Sequence, residues 1–128
     1  MGTFKSTLEI GVPEGRRWET IEALVDTGAT FTMAPQCLLE QLGVVPQEKV
    51  AFQLADGRSV YYDIAQTQVG IDGRTRTTLV VFGAPGSEPL LGAYTLEAFL
   101  LAPDPENRRL VPVPGLLKAQ YLSPSTAK

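Results

Sequence analysis

The residues best able to do chemistry lie in one short stretch, where the apolar segment Ala23-Leu24-Val25 runs straight into Asp26-Thr27-Gly28-Ala29-Thr30. A strand that ends in such a loop sets a carboxylate at the floor of a cleft. Gly28 lets another backbone come close, and the Thr27 hydroxyl can hydrogen-bond across to a symmetric partner. The bland alternative for Asp26 is a turn aspartate that satisfies the amides of its own loop. What the chain lacks narrows the chemistry further. It has no histidine and one cysteine, Cys37, which excludes Ser-His-Asp, Cys-His and histidine-based general catalysis, a zinc site of the usual kind and an internal disulfide. Carboxylates become the leading groups, and neither a metal nor a cofactor is expected.

The elements that must hold this loop follow from periodicity and turn chemistry. Phe4 to Val12 and Trp18 to Val25 alternate as strands around the turn Pro13-Glu14-Gly15 and form a hairpin. Phe31-Thr32-Met33-Ala34 resumes extended structure after the loop. Gln36 to Leu42 has leucines at helical spacing between Pro35 and Gly43, which predicts a short helix. Val50 to Leu54 and Ser59 to Ile64 flank Ala55-Asp56-Gly57-Arg58, where Asp-Gly is a strong hairpin signal. Val69 to Ile71 meets a second such turn at Asp72-Gly73, and Thr77 to Phe82 reads as a buried strand. Leu90-Leu91-Gly92 leads into a second short helix over Tyr94 to Leu101, with Thr95 as its N-cap. A last strand over Arg109 to Val113 follows, and Ser123 to Lys128 is a polar tail. Residues 1–122 are expected to form one domain, with 123–128 outside it.

Composition agrees with a turn-rich β fold. The 128 residues include twelve glycines and ten prolines, with 44% apolar residues to build a modest core. The net charge of −3 is small and unclustered, so no nucleic-acid or anionic-membrane partner is implied. No apolar run reaches the length of a membrane span and the start lacks a signal-like apolar region, which makes a cytoplasmic protein the expectation. Met1-Gly2 with Ser6 fits the bare N-myristoylation pattern, a short motif with little specificity.

Taken together, Leu24-Val25-Asp26-Thr27-Gly28-Ala29-Thr30, the hairpin at Ala55-Asp56-Gly57-Arg58, the strand Leu79-Val80-Val81-Phe82-Gly83 and Leu90-Leu91-Gly92 before Tyr94-Thr95-Leu96-Glu97 resemble the retropepsin-like aspartic proteases, in particular the small bacterial members. The resemblance implies an all-β, single-lobe closed barrel with one or two short helices, paired as a two-fold homodimer. It implies peptide-bond hydrolysis by an aspartic endopeptidase in which Asp26 and its symmetry mate activate a water, since one chain carries one such motif. Thr27 would join a hydrogen-bond network across the dimer, and Gly28 would meet the substrate backbone. Residues Ala55, Asp56, Gly57 and Arg58 would form the tip of a flap over an extended peptide. Leu24, Ala29, Met33 and Leu90 would wall apolar substrate pockets. The alternative is an inactive module of the same fold that binds peptides or dimerises.

Three departures from the viral pattern stand out. The flap tip is not glycine-rich, Thr30 and Phe31 replace acidic residues, and Ala93 stands where viral enzymes carry a bracing arginine, so Arg109 to Leu117 is the candidate replacement for dimer support. The other notable side chains have simpler readings: Asp56 and Asp72 as turn residues, Cys37 as a small buried hydrophobe, Trp18, Tyr61, Tyr62 and Tyr94 as packing residues with one flap tyrosine able to line the cleft, and Arg108-Arg109 as solvated surface.

Overall fold

The computed structural model describes residues 3–115. The elements are β1 (Lys5–Gly11), β2 (Trp18–Val25), β3 (Thr32–Pro35), α1 (Gln36–Gln41), β4 (Glu48–Gln53), β5 (Ser59–Ile71), β6 (Arg74–Gly83), β7 (Leu90–Leu91), α2 (Ala93–Ala98), β8 (Leu101–Asp104) and β9 (Arg109–Pro112). Seven strands form one sheet in the order β1-β2-β7-β3-β6-β5-β4, and β1 also pairs with β5. The sheet therefore closes on itself, with β4 as an outer strand, and the all-β barrel with two short helices expected from the sequence is what the chain adopts.

Alternation explains which faces point inward. In β1, Leu8 and Ile10 are buried and Glu9 is exposed; in β2, Ala23 and Val25 are buried and Glu22 is exposed. These side chains join Leu39, Val69, Val80, Phe82, Leu91, Leu96 and Phe99 in a single core. Burying one large aliphatic or aromatic side chain contributes about 1.5–3 kcal/mol. Period-2 burial in the strands is thus the main force holding the barrel.

The hairpins follow the turn residues. Asp72 and Gly73, both with positive φ (50° and 81°), join Ile71 to Arg74 in a two-residue turn, the geometry that asparagine or aspartate followed by glycine favours. At the β4–β5 end only Gly57 has positive φ, 90°. There the Leu54 N–H donates to the Arg58 carbonyl (2.8 Å) and the Gly57 N–H to the Leu54 carbonyl (2.9 Å), giving the three-residue loop Ala55–Gly57. β5 is longer than the two separate segments predicted, because Ala65 and Thr67 point inward while Gln66 points out, which keeps the alternation unbroken.

Three expectations are corrected. Helix α2 begins after Gly92, which has no side-chain cap, and Thr95 lies inside the helix, fully buried, instead of capping it. The helix also stops at Ala98, because Leu100 turns to φ 56° and Leu101 enters β8. Cys37 is exposed on α1, where Leu39 takes the inward position. The strand at Arg109 pairs with β8 in a separate two-stranded sheet. The tail at 123–128, the end of the expected domain, Leu116, Leu117 and Met1-Gly2 lie outside the described residues. Among the described residues no helix is long and apolar enough to cross a membrane.

Candidate active site

Asp26 follows the last residue of β2 and is held from both sides by backbone. Parallel pairing sets Leu24 opposite Leu90 and Val25 opposite Leu91. The Leu24 N–H donates to the Pro89 carbonyl (2.9 Å) and the Asp26 N–H to the Leu91 carbonyl (3.0 Å). Within the loop the Ala29 N–H donates to the Asp26 carbonyl (3.1 Å), and the Gly28 N–H donates to Asp26 Oδ1 (2.9 Å). This last bond matches the bland turn reading, but it engages one carboxylate oxygen and the side chain stays half-buried, open to a surface recess lined by Thr3, Phe4, Val25, Thr27, Pro103 and Pro105. Thr27 and Gly28 are exposed.

The far side of the loop is clamped by α2. The Ala93 N–H donates to the Ala29 carbonyl (2.8 Å) and the Tyr94 N–H to the Thr30 carbonyl (2.9 Å). These are helix-start amides that lack partners within the helix. Gly92 is required for this approach: a Cβ there would stand 2.6 Å from the Phe31 carbonyl atoms and 2.9 Å from the Ala29 oxygen. Backbone bonds therefore brace the loop at Ala93, where the sequence offers no arginine.

Beyond Gly28 the loop opens on an apolar cleft of about 300 Å³, whose floor is Ala29, Met33, Val81 and Leu90. Its opposite wall comes from the β4–β5 hairpin through Phe52, Leu54 and Tyr62. The structure thus brings three of the four pocket residues, Ala29, Met33 and Leu90, to one cleft. Leu24 stands apart, half-buried in a recess with Thr3, Phe4, Lys5 and Arg108. The tip residues Ala55 to Arg58 do not line the cleft; the hairpin reaches it through residues nearer its base.

The tip is closed by its own side chains. Asp56 accepts from the Arg58 N–H (3.0 Å) and from Arg58 Nε (2.7 Å). The Arg58 amide first, and its guanidinium second, hold the Asp56 carboxyl below the ordinary value of 3.8. Asp56 is committed to its turn, as its simple reading implied.

Phe31 is the residue that sequence reasoning undervalued. Its ring meets Phe52 edge-on (6.0 Å) and Tyr94 edge-on (5.8 Å), while Phe52 meets Tyr62 at 5.9 Å. Such pairs contribute about 0.5–1.5 kcal/mol beyond area burial. They tie the Asp26 loop to the hairpin and to α2. Tyr62 faces the cleft while Tyr61 is 66% exposed; strand alternation was the available signal for telling them apart.

A closed single-lobe barrel with an Asp-Thr-Gly loop at the end of an inner strand, braced from beneath by an apolar-apolar-Gly turn, defines the acid-protease class of fold. The family model described as "gag-polyprotein putative aspartyl protease" matches residues 17–98, and the chain belongs to this family of retropepsin-like aspartyl proteases. The matched span runs from β2 through α2 and so takes in the loop, the hairpin and the Leu90-Leu91-Gly92 turn. None of the curated proteins compared with the chain matches it.

Proposed function

We propose that the protein is an aspartic endopeptidase whose active site is completed by a second copy of the chain, with Asp26 and its mate as the dyad. The observation that carries this reading is the setting of Asp26. Among the described residues it is the one acidic residue lining its recess, and it sits beside an exposed Thr27 on a backbone-braced loop. Two facing carboxylates cannot both ionise and so share a proton. The ionised member takes a proton from water as the water attacks the scissile carbonyl. The protonated member hydrogen-bonds the developing oxyanion and then serves in protonating the leaving nitrogen.

The substrate is an extended peptide that adds as a strand between the loop and the β4–β5 hairpin. The apolar cleft lined by Ala29, Met33 and Leu90 then accepts an apolar side chain near the scissile bond. The test joins turnover of a hydrophobic peptide library to sedimentation equilibrium. Wild type is expected to cleave as a dimer, with Asp26→Asn inactive and still dimeric. Equal turnover by the variant would refute the dyad, and peptide binding by wild type without turnover would mark a non-catalytic peptide-binding module.

A further inference from the structure

Behind the Asp26 loop, three threonine hydroxyls from three elements meet in the interior. Thr32 of β3 and Thr95 of α2 are fully buried, and Thr78 of β6 is 2% exposed. Thr32 Oγ1 donates to Thr95 Oγ1 at 2.7 Å, and the Thr95 and Thr78 oxygens are 3.2 Å apart. At the other end the Gly92 N–H donates to Thr32 Oγ1 at 3.1 Å. A valine would fill each position with nearly the same volume and no polar atom to desolvate. Three hydroxyls in an apolar core are tolerable only because they satisfy one another.

The chain of hydroxyls ends where position matters most. Gly92, Ala93 and Tyr94 give their amides in turn to the Thr32 side chain, the Ala29 carbonyl and the Thr30 carbonyl. One segment, residues 29–32, thereby receives three successive amides from the start of α2. The two backbone acceptors serve any sequence that adopts the loop. The Thr32 hydroxyl does not: its own proton must have an acceptor, which Thr95 supplies, and Thr95 in turn lies against Thr78.

We infer that Thr32, Thr95 and Thr78 are positioning residues, a buried hydroxyl chain that sets how α2 meets residues 29–32 and thereby where the Asp26 carboxylate stands. The kinetic part of this inference rests on the endopeptidase reading; the structural part does not. The experiment compares Thr95→Val, which keeps shape and deletes the hydroxyl, with Thr95→Ser, which keeps the hydroxyl. In the folded full-length valine variant, exchange of the Gly92 amide with solvent is expected to quicken about tenfold. Its kcat is expected to fall about tenfold with KM within about twofold, and the serine variant to restore both. Identical behaviour of the two variants, or unchanged Gly92 exchange in the valine variant, overturns the proposal. If Thr95→Val does not fold, Thr32→Val against Thr32→Ser makes the same comparison from the other end. An inactive wild type would sink the endopeptidase reading alone, because Gly92 exchange still decides the positioning role.

Discussion

The loop of Asp26 and the tip of the β4–β5 hairpin are both short, glycine-containing turns, yet they are held by different kinds of force. The Asp26 loop is tied to Pro89, Leu91, Ala93 and Tyr94 through backbone donors and acceptors that come from distant parts of the chain. The tip's hydrogen bonds, among the described residues, all stay within Leu54–Arg58, and its one ion pair joins Asp56 and Arg58 with side chains 55% and 71% exposed. Exposed pairs of this kind stabilise little. On the proposed endopeptidase reading, the loop that holds the carboxylate is fastened by tertiary structure, whereas the turn that would admit substrate is fastened only to itself. The aromatic contact between Phe31 and Phe52 is where the two regimes meet.

Substitutions can break that contrast in order of severity. On the proposed dimeric endopeptidase reading, replacing Asp26 with Asn leaves self-association unchanged and reduces kcat by about 10⁴-fold, the scale seen when one member of a catalytic unit is lost; a peptide-cleavage assay beside sedimentation measures both. Gly92→Ala strikes the bracing and not the chemistry. Forcing a Cβ into the Phe31 backbone should cost about 3 kcal/mol in urea unfolding. Stability equal to wild type would show that the clamp can relax.

The next two act on the hairpin side. Phe52→Ala removes the edge-on partner of Phe31 and one wall of the cleft, so KM for peptides with a bulky apolar residue should rise about tenfold while small-residue peptides change less. A uniform loss across substrates would instead assign Phe52 to folding. The smallest effect is expected at the tip, where Asp56→Asn should barely move the unfolding midpoint at neutral pH. The Asp56 carboxyl is depressed in the folded chain, so its contribution is present above the ordinary value of 3.8 and lost as pH falls through the lower folded value. The Arg58 amide resonance should therefore titrate in acid below 3.8 in wild type and lose that step in the variant. A titration at or above 3.8 would contradict the depressed value.

Much of this was readable one residue at a time. The Asp-Thr-Gly loop, the two aspartate-glycine hairpins and the β-branched run of β6 carry their signals within a few neighbours, and most barrel strands lie where alternation put them, although β5 runs unbroken through the gap expected before Val69, and Leu90-Leu91, read only as the lead into a helix, pairs as β7. Thr95 misled for the same reason. A threonine ahead of an apolar stretch is a good local cap signal, and only the packed structure shows that Gly92 starts the helix while Thr95 turns inward to Thr32 and Thr78. Cys37 went astray because a six-residue helix buries one narrow stripe, and the neighbours decide which residue occupies it. The separation of Leu24 from Ala29, Met33 and Leu90 has the same origin: all four are apolar, and nothing in their types says which recess each one borders.

By itself the amino-acid sequence determined most of the turns and which strand faces are apolar, because turn dihedrals and period-2 alternation are settled between near neighbours. Tertiary structure alone decided which distant segments stand together. The parallel pairing of β2 with β7, the arrival of α2 amides at residues 29–32 and the meeting of Phe31 with Phe52 are selected by closing the barrel around one core, and no local stretch encodes a partner so far along the chain.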